Sequence, residues 1–558
     1  MNERVVMMQR MAQRAAIAVL GLWWSAGQAA VAQTTAKQPE QTARQRCVAL
    51  QGAVIPTGAI GLPTSGGVVV SSSFVTATDA GNRNGEFCKI LGSIHPVDPL
   101  APDIKFQLNL PTNWNNRSLQ MGGGGFDGSV VTGLGGASNQ VAAAPTPLAQ
   151  GYVTLGSDSG HEGTGFDGTF ALNAEALANF GHLQVKKTHD AGVYLIKARY
   201  GVLPKHSYFA GASQGGHEAL IAAQKYPADF DGVVSHYPAY NITLLHLGAN
   251  YFAKALYGKK ESWVNPNKVR TLVAAVYAAC DGLDGIKDGI ISNVSECNRV
   301  FTMETVRTTL RCAGGADTGD ACLSDAQISA VNAINSPFSL GFPVGGLTTF
   351  PKWPVLDGAT FLANTLGSTA VPSLPPAAGD AFQYKPSDAT IRYIITRDLT
   401  LNTLTFDPNQ WAARIVEVSA ILDASSVDLS QFMNKGGKLL LMVGSIDDSI
   451  TPYNTLNYYS RLVSRFGQAA LDSFARFYYI PGFGHGNGVF NARFDSLSAL
   501  DAWVDQGKAP DTLVATDANA ENPKRTRPLC VYPAWPKYKG SGDVNLASSF
   551  SCVAPSTP

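Results

Sequence analysis

Gly211-Ala212-Ser213-Gln214-Gly215 follows the apolar run Ser207-Tyr208-Phe209-Ala210 and precedes a helix-compatible stretch from Gly216 to Tyr226. A G-x-S-x-G pentapeptide between a strand and a helix reads as a nucleophile elbow: the turn is so sharp that its flanking positions must be nearly free of side chain, which leaves the serine hydroxyl exposed at the sheet edge. With 56 glycines in the chain, the pentapeptide alone carries little weight, and an ordinary strand-end turn is the alternative. The strand before it and the helix after it favour a serine nucleophile.

Working outward, residues from about 100 to 236 alternate short apolar runs with helical patterns. Ile104 to Leu110, Ser118 to Met121, Tyr152 to Gly156, Ser207 to Gly211 and Gly232 to His236 read as strands; Phe180 to Tyr200 and Gly216 to Tyr226 read as helices. Such alternation implies a mostly parallel sheet covered on both faces. The pattern breaks after Pro238, and up to about residue 430 the chain is rich in proline, carries four of the eight cysteines and contains irregular tracts such as Gly367 to Gly379. The alternation then resumes with strands at Lys438 to Val443 and Ala475 to Ile480 and helices at Tyr453 to Phe466 and Asp495 to Gln506. The expected fold is α/β, an α/β-hydrolase core with a large inserted lid domain. The expected division is a signal peptide at 1–32, the core at 33–237 and 431–558 with a C-terminal tail, and the lid at 238–430.

A serine hydroxyl needs a histidine to take its proton and a carboxylate to hold that imidazole, and in this fold class the chain order is serine, acid, histidine. The resumed pattern places Gly444-Ser445-Ile446-Asp447 after one strand and Pro481-Gly482-Phe483-Gly484-His485-Gly486 after the next. The predicted triad is Ser213, Asp447 and His485. Asp448 competes with Asp447 as its neighbour, and the Gly-x-x-Asp spacing favours Asp447. His161 precedes the serine and suits a structural hydrogen bond; His217 packs on the elbow helix or lines the cleft. Backbone N–H groups must meet the oxyanion. Gln214 is expected to give one, and Gly123, in Gly122-Gly123-Gly124-Gly125 after an early strand, the other; a plain glycine loop is the alternative.

Composition bounds the partners. Lys plus Arg equals Asp plus Glu at 42 each, so no net field gathers nucleic acid or an anionic membrane. Arg10 and Arg14, the apolar stretch Ala15 to Trp24 and the small-x-small site Ala30-Val31-Ala32 predict cleavage before Gln33 and a periplasmic or secreted product, with no later stretch long enough to span a bilayer. Eight cysteines in an exported chain suggest disulfides, and spacing suggests Cys47 with Cys88, Cys280 with Cys297, Cys312 with Cys322 and Cys530 with Cys552. Asp281, Asp284 and Asp288 in Cys280-Asp-Gly-Leu-Asp-Gly-Ile-Lys-Asp-Gly-Ile290 would repel one another unless a cation gathers them. Calcium suits an all-oxygen set completed by the carbonyls of Ile286 and Ile290, in a structural role; a solvated acidic loop is the alternative.

Taken together, the glycine loop, the elbow, the cysteine-aspartate loop and the ending Arg527-Pro-Leu-Cys530-Val-Tyr-Pro533…Tyr538-Lys-Gly-Ser-Gly-Asp543 resemble the tannase and feruloyl esterase family, from about Cys47 to Cys552. The resemblance implies a serine carboxylic ester hydrolase with an aromatic acyl pocket, its nucleophile on Ser213, acid on Asp447, base on His485 and structural calcium on Asp281, Asp284, Ile286, Asp288 and Ile290. Many members join a cysteine just before the nucleophile to one just after the histidine; here those positions are Ala212 and Gly486, so packing alone must hold the two loops. The terephthalate-monoester branch uses a lid arginine, yet residues 354–391 contain no arginine and one lysine, Lys385. The expectation is therefore a feruloyl- or galloyl-type small-molecule ester. Terephthalate monoesters, lipase or polyester depolymerase activity, and a non-catalytic binding protein on the same fold are the rivals.

Overall fold

Nearly unbroken apolar runs become strands buried on both faces, and here they form the middle of the sheet. In the computed structural model, which describes residues 42–361, 365–522 and 524–555, ten strands make one sheet. They are β1 (Val54–Ile55), β2 (Gly67–Val75), β3 (Phe87–Ile94), β4 (Ile104–Pro111), β5 (Arg117–Met121), β6 (Val153–Ser157), β7 (His206–Ala212), β8 (Gly232–His236), β9 (Lys438–Gly444) and β10 (Ala475–Ile480), in the order β1-β2-β3-β4-β6-β5-β7-β8-β9-β10. From β6 to β10 every neighbour is parallel; from β1 to β6 every neighbour is antiparallel. The parallel half stands where the alternation places it. The antiparallel edge β1–β3 lies upstream of the region in which the sequence reads as strands, and the three consecutive serines of β2 explain why: with one face toward water, it lacks the apolar run of a buried strand. The expected signal peptide at 1–32 lies outside the described residues.

Helices α1 (Gln184–Tyr200) and α2 (Gln214–Lys225) follow the sequence pattern, α1 being preceded by a wider π turn over Asn179–Leu183. Between β8 and β9 the chain forms helices α3 (Ile242–Tyr257) and α4 (Pro266–Cys280), among others, and the hairpin Phe338–Val344 with Leu347–Phe350. The α3 helix is apolar on nearly all sides and is buried accordingly, with Leu244, Leu247, Phe252 and Leu256 in one hydrophobic cluster with Phe350, Trp353 and Ile394. Phe126, Phe170 and Phe180, from the connections of the sheet half, join the same cluster. Asn265 caps α4 by accepting from Asn267 and Lys268 N–H, with Pro266 at the first helical position, so the helix delivers Cys280 to the acidic loop. Helices α5 (Pro452–Phe466) and α6 (Ser496–Gln506) complete the sheet's cover.

All four expected disulfides are present: Cys47–Cys88, Cys280–Cys297, Cys312–Cys322 and Cys530–Cys552. Cys280–Cys297 and Cys312–Cys322 close short loops, Cys530–Cys552 clamps the C-terminal tail and Cys47–Cys88 the N-terminal segment, each a constraint worth about 3 kcal/mol through the unfolded chain. The chain from Ala43 onward is one compact unit.

Candidate active site

Ser213 sits between β7 and α2 with φ +61° and ψ −118°, outside the comfortable regions for a side-chain-bearing residue. Holding such a residue costs about 1–3 kcal/mol, which the surrounding contacts must offset. A Cβ on Gly211 would lie 2.4 Å from the Gly215 backbone, and one on Gly215 would lie 2.8 Å from the backbone of Gly122. Both ends of the pentapeptide therefore have to be glycine. The second also lets α2 press against the loop after β5.

The strained turn aims the serine at residues from two later strand ends. The Ser213 hydroxyl donates to His485 Nε2 at 3.0 Å, and His485 Nδ1–H donates to Asp447 Oδ2 at 2.9 Å. A carboxylate can only accept, so this contact fixes the imidazole tautomer with Nε2 free to take a proton. Asp447 is fully buried, and its other oxygen accepts from the N–H groups of Ser449 and Ile450, both at 2.9 Å. Burial by itself would lower the His485 pKa. The charge and hydrogen bond of Asp447, with the charge of Asp448 behind them, outweigh burial and hold it above the ordinary histidine value.

One expected oxyanion donor needs correction. Gly123 N–H donates to Glu218 Oε2 at 3.3 Å, because Glu218 reaches from α2 to beneath the loop and takes that hydrogen. Gly125, not Gly123, lines the cavity beside Ser213 and Gln214. The N–H groups of Gln214 and Gly125 have no acceptor among the described residues. Glu218 is itself buried and accepts from Gln184 Nε2 at 2.7 Å; burial first, then the neighbouring Asp127, push its pKa well above the carboxylate range. It is a strut under the glycine loop.

The cavity at Ser213 is narrow, about 40 Å³, and walled by Phe126, Phe166, Ile242, Leu245 and Phe382. His246, which the sequence did not single out, also lines it; its Nδ1 pairs with Thr390 Oγ1 at 2.7 Å and burial lowers its pKa to about 3, so it is neutral. Tyr237, the residue after β8, is a second omission: its ring centroid lies 4.6 Å from that of His485, and its hydroxyl donates to Asn139 Oδ1 at 3.1 Å. Its place at the end of a core strand beside the elbow strand was the available signal. At Gly486, a Cβ would lie 3.2 Å from the Tyr237 hydroxyl and φ is +79°, so Tyr237 packs where a larger residue at 486 would intrude.

Of the competitors, Asp448 accepts from Thr365 Oγ1 at 3.0 Å rather than from His485. His161 is buried, stacks on Phe170 with centroids 3.7 Å apart and bonds the Phe126 carbonyl through Nε2 at 2.8 Å. His217 is buried on α2 and bonds the Leu422 carbonyl at 2.7 Å. In the acidic loop, Asp281 Oδ1 accepts from Gly289 N–H at 2.9 Å, Asp288 Oδ2 pairs with Arg527, and Asp284 keeps a buried Oδ2 with no partner among the described residues. Burial raises the Asp284 pKa to about 6 and that of Asp281 in the same direction, with the Asp288 charge adding to both. Among the described residues, the side chains that converge closely as a metal-sized set are instead His189, Asp190 and Asp229, where the Lys186 ammonium already sits between the two carboxylates.

An α/β sheet carrying a strained serine, a bonded histidine and a buried aspartate at three strand ends defines an esterase-type α/β hydrolase. The family model for tannase and feruloyl esterase matches residues 88–553, and the chain belongs to that family of carboxylic ester hydrolases. It is 38% identical over 522 residues to an uncharacterised esterase of Agrobacterium fabrum, covering 92% of this chain and 94% of that one. It is 30% identical to the mono(2-hydroxyethyl) terephthalate hydrolase of Piscinibacter sakaiensis, covering 84% and 85%. Among solved structures, feruloyl esterase B from Aspergillus oryzae superposes with a TM-score of 0.73 at 25% identity, over 92% of this chain and all of that one.

Proposed function

We propose that this protein is a secreted serine esterase that cleaves small-molecule esters of feruloyl- or galloyl-type aromatic acids through an acyl-enzyme. The observation that carries this reading is the unbroken Ser213–His485–Asp447 hydrogen-bonded array at the mouth of an aromatic-walled slot. Ser213 Oγ attacks the ester carbonyl while His485 Nε2 takes its proton, and the N–H groups of Gln214 and Gly125 receive the oxyanion. His485 then returns the proton to the leaving alkoxide. Water, deprotonated by the same imidazole, attacks the acyl carbon; the bond to Ser213 Oγ breaks, Oγ recovers the proton from His485 and the acid is released. Among the described residues lining the slot there is no arginine or lysine, so the free carboxylate of a terephthalate monoester would be buried without a counter-charge. A narrow slot between phenyl rings suits a flat acyl group.

The insertion between β8 and β9 acts as the lid over this slot. Calcium suits the oxygen-only donors of the acidic loop: the unpartnered Oδ2 of Asp284, the carboxylates of Asp281 and Asp288 and the carbonyls of Ile286 and Ile290 would hold it, and it would offset the charge that Arg527 leaves uncompensated. Export accords with the four disulfides.

Ser213→Ala should lower kcat on methyl ferulate by several orders of magnitude with the fold intact by circular dichroism. Parent-like hydrolysis by that variant would refute the serine mechanism. A panel of methyl ferulate, methyl gallate, p-nitrophenyl butyrate and mono(2-hydroxyethyl) terephthalate decides the acyl class; butyrate turned over far faster than ferulate would move the reading to a general esterase.

A further inference from the structure

Three buried acids that the reaction does not use, Asp127, Asp158 and Glu218, lie around the glycine loop. Two of them bracket Gly123. Glu218 Oε2 accepts from the Gly123 N–H at 3.3 Å, and Asp127 Oδ2 fills the place where a Cβ of residue 123 would stand. The Gly123 carbonyl in turn accepts from Gly215 N–H at 3.0 Å, which ties the loop to the elbow. Asp127 also closes the turn that contains the proposed oxyanion donor: its N–H donates to the Gly124 carbonyl at 2.9 Å, with Gly125 and Phe126 between them. It does so at φ +48°, in the left-handed region that aspartate tolerates better than most side chains. The Asp127 carboxyl thus reaches back across its own turn to Gly123, and the direction of the Gly125 N–H depends on where that carboxyl rests.

The two acids are unequally supplied with donors. Glu218 accepts from Gly123 N–H, from Gln184 Nε2 at 2.7 Å and from the Ser159 hydroxyl at 3.4 Å. Neither oxygen of Asp127 has a partner among the described residues. The surroundings offer no compensating charge. Asp158, whose Oδ1 accepts from the N–H groups of Lys105 and Gly160, is itself an acid raised to about 7 by burial. His161, on the Phe126 carbonyl, is held neutral because burial lowers its pKa to about 4. Lys105, the cation that bears on Asp158, is paired with Glu162 at the surface. A buried carboxylate without a donor is costly, so Asp127 retains its proton well past the ordinary range: burial, with the Asp158 charge adding, lifts its pKa to about 8.

We propose that Asp127 and Glu218 are positioning residues that together hold Gly123 and so aim the Gly125 N–H at the oxyanion, and that ionisation of Asp127 releases this hold and gives the enzyme an alkaline limit set at the glycine loop. The proposal rests on the serine mechanism above and extends it to the support of the oxyanion donors. A charged Asp127 would stand beside Glu218 and Asp158 with no donor, and it reaches water only by turning residues 124–127 outward, which carries Gly125 away. The hold is therefore present while Asp127 is protonated and is lost as pH rises through about 8.

The test is the pH profile of kcat/KM on p-nitrophenyl butyrate, from about pH 6 to about pH 10, for the parent, Asp127→Asn and Asp127→Ala, with circular dichroism at each pH. This ester makes the outcome independent of the acyl class, and Ser213→Ala on the same ester reports separately on the serine mechanism. The parent should show an alkaline fall with its midpoint near 8 while its ellipticity is unchanged. Asp127→Ala should lower kcat at neutral pH by about tenfold or more with little change in KM, as expected for a displaced oxyanion donor. Asp127→Asn, of the same shape but unable to ionise, should restore most of that loss and should lack the alkaline fall. A parent profile flat to about pH 10, a fall that survives Asp127→Asn, or a fall that follows loss of ellipticity overturns the proposal. Should Asp127→Ala fail to fold, the parent and Asp127→Asn profiles still decide it.

Discussion

At the level of single residues, the ionisation of His485 ties structure to rate. On the proposed mechanism the base must be neutral to take the serine proton, and the Asp447 contact holds its pKa above 6.5. The acid limb of kcat/KM on methyl ferulate should therefore have its midpoint above 6.5, activity rising as pH rises through it. Asp447→Asn removes the charge that opposes burial, so the midpoint should move down while the rate falls by about 10⁴-fold. A parent midpoint below 6.5 would contradict the orientation of the imidazole. Ser213, Asp447 and His485 could be read from the chain because each follows a strand at a recognisable turn. Gly123 could not be separated from Gly125 that way, since four consecutive glycines look alike until Glu218, distant in sequence, takes the hydrogen of one of them.

Among the elements, the loop carrying His485 has no covalent tie to the elbow, and packing has to hold it. Tyr237 is the main candidate: it follows β8, takes φ +33°, and packs its ring against the imidazole at a tilt of 55° while its hydroxyl is fixed by Asn139. Tyr237→Phe keeps the ring and should retain kcat on methyl ferulate within a small factor. Tyr237→Ala should lower kcat by about a hundredfold, the cost of a misplacement near 1 Å, with a smaller change in KM. Equal kcat in the alanine variant and the parent, both folded by circular dichroism, would show that the loop is held another way. The sequence exposed the parallel strands β6 to β10 for the physical reason that burial on both faces demands unbroken apolar runs. It hid β2 and β3, which belong to the antiparallel end of the sheet and so need no unbroken apolar run, and it hid the helices of the insertion, whose irregular spacing follows a core shared with Phe126, Phe170 and Phe180 rather than one of its own.

Over the whole molecule, the acidic loop links the insertion, the C-terminal tail and the catalytic edge. Cys280–Cys297 brackets it, Arg525 donates to the Asp288 carbonyl at 3.1 Å, Arg527 pairs with the Asp288 carboxylate, and Tyr538 N–H donates to the Asp284 carbonyl at 3.2 Å. Ile290, at the loop's end, lies so near Gly482 that a Cβ there would come 3.1 Å from its side chain, and Gly482 stands three positions before His485. Arg527 pairs with only one of the three carboxylates, and the buried Oδ2 of Asp284 has no hydrogen-bond partner among the described residues. If calcium meets it, chelation should lower Tm by several degrees and reduce kcat, and added calcium should restore both, because binding to the folded state alone stabilises it by mass action. Asp284→Asn should start from the lower Tm and respond little to chelator or calcium, since its amide removes the charge the ion would neutralise. Differential scanning fluorimetry across a calcium titration separates the cases: a parent Tm indifferent to both chelator and calcium would mean that Arg527 and the backbone amides suffice to hold the loop.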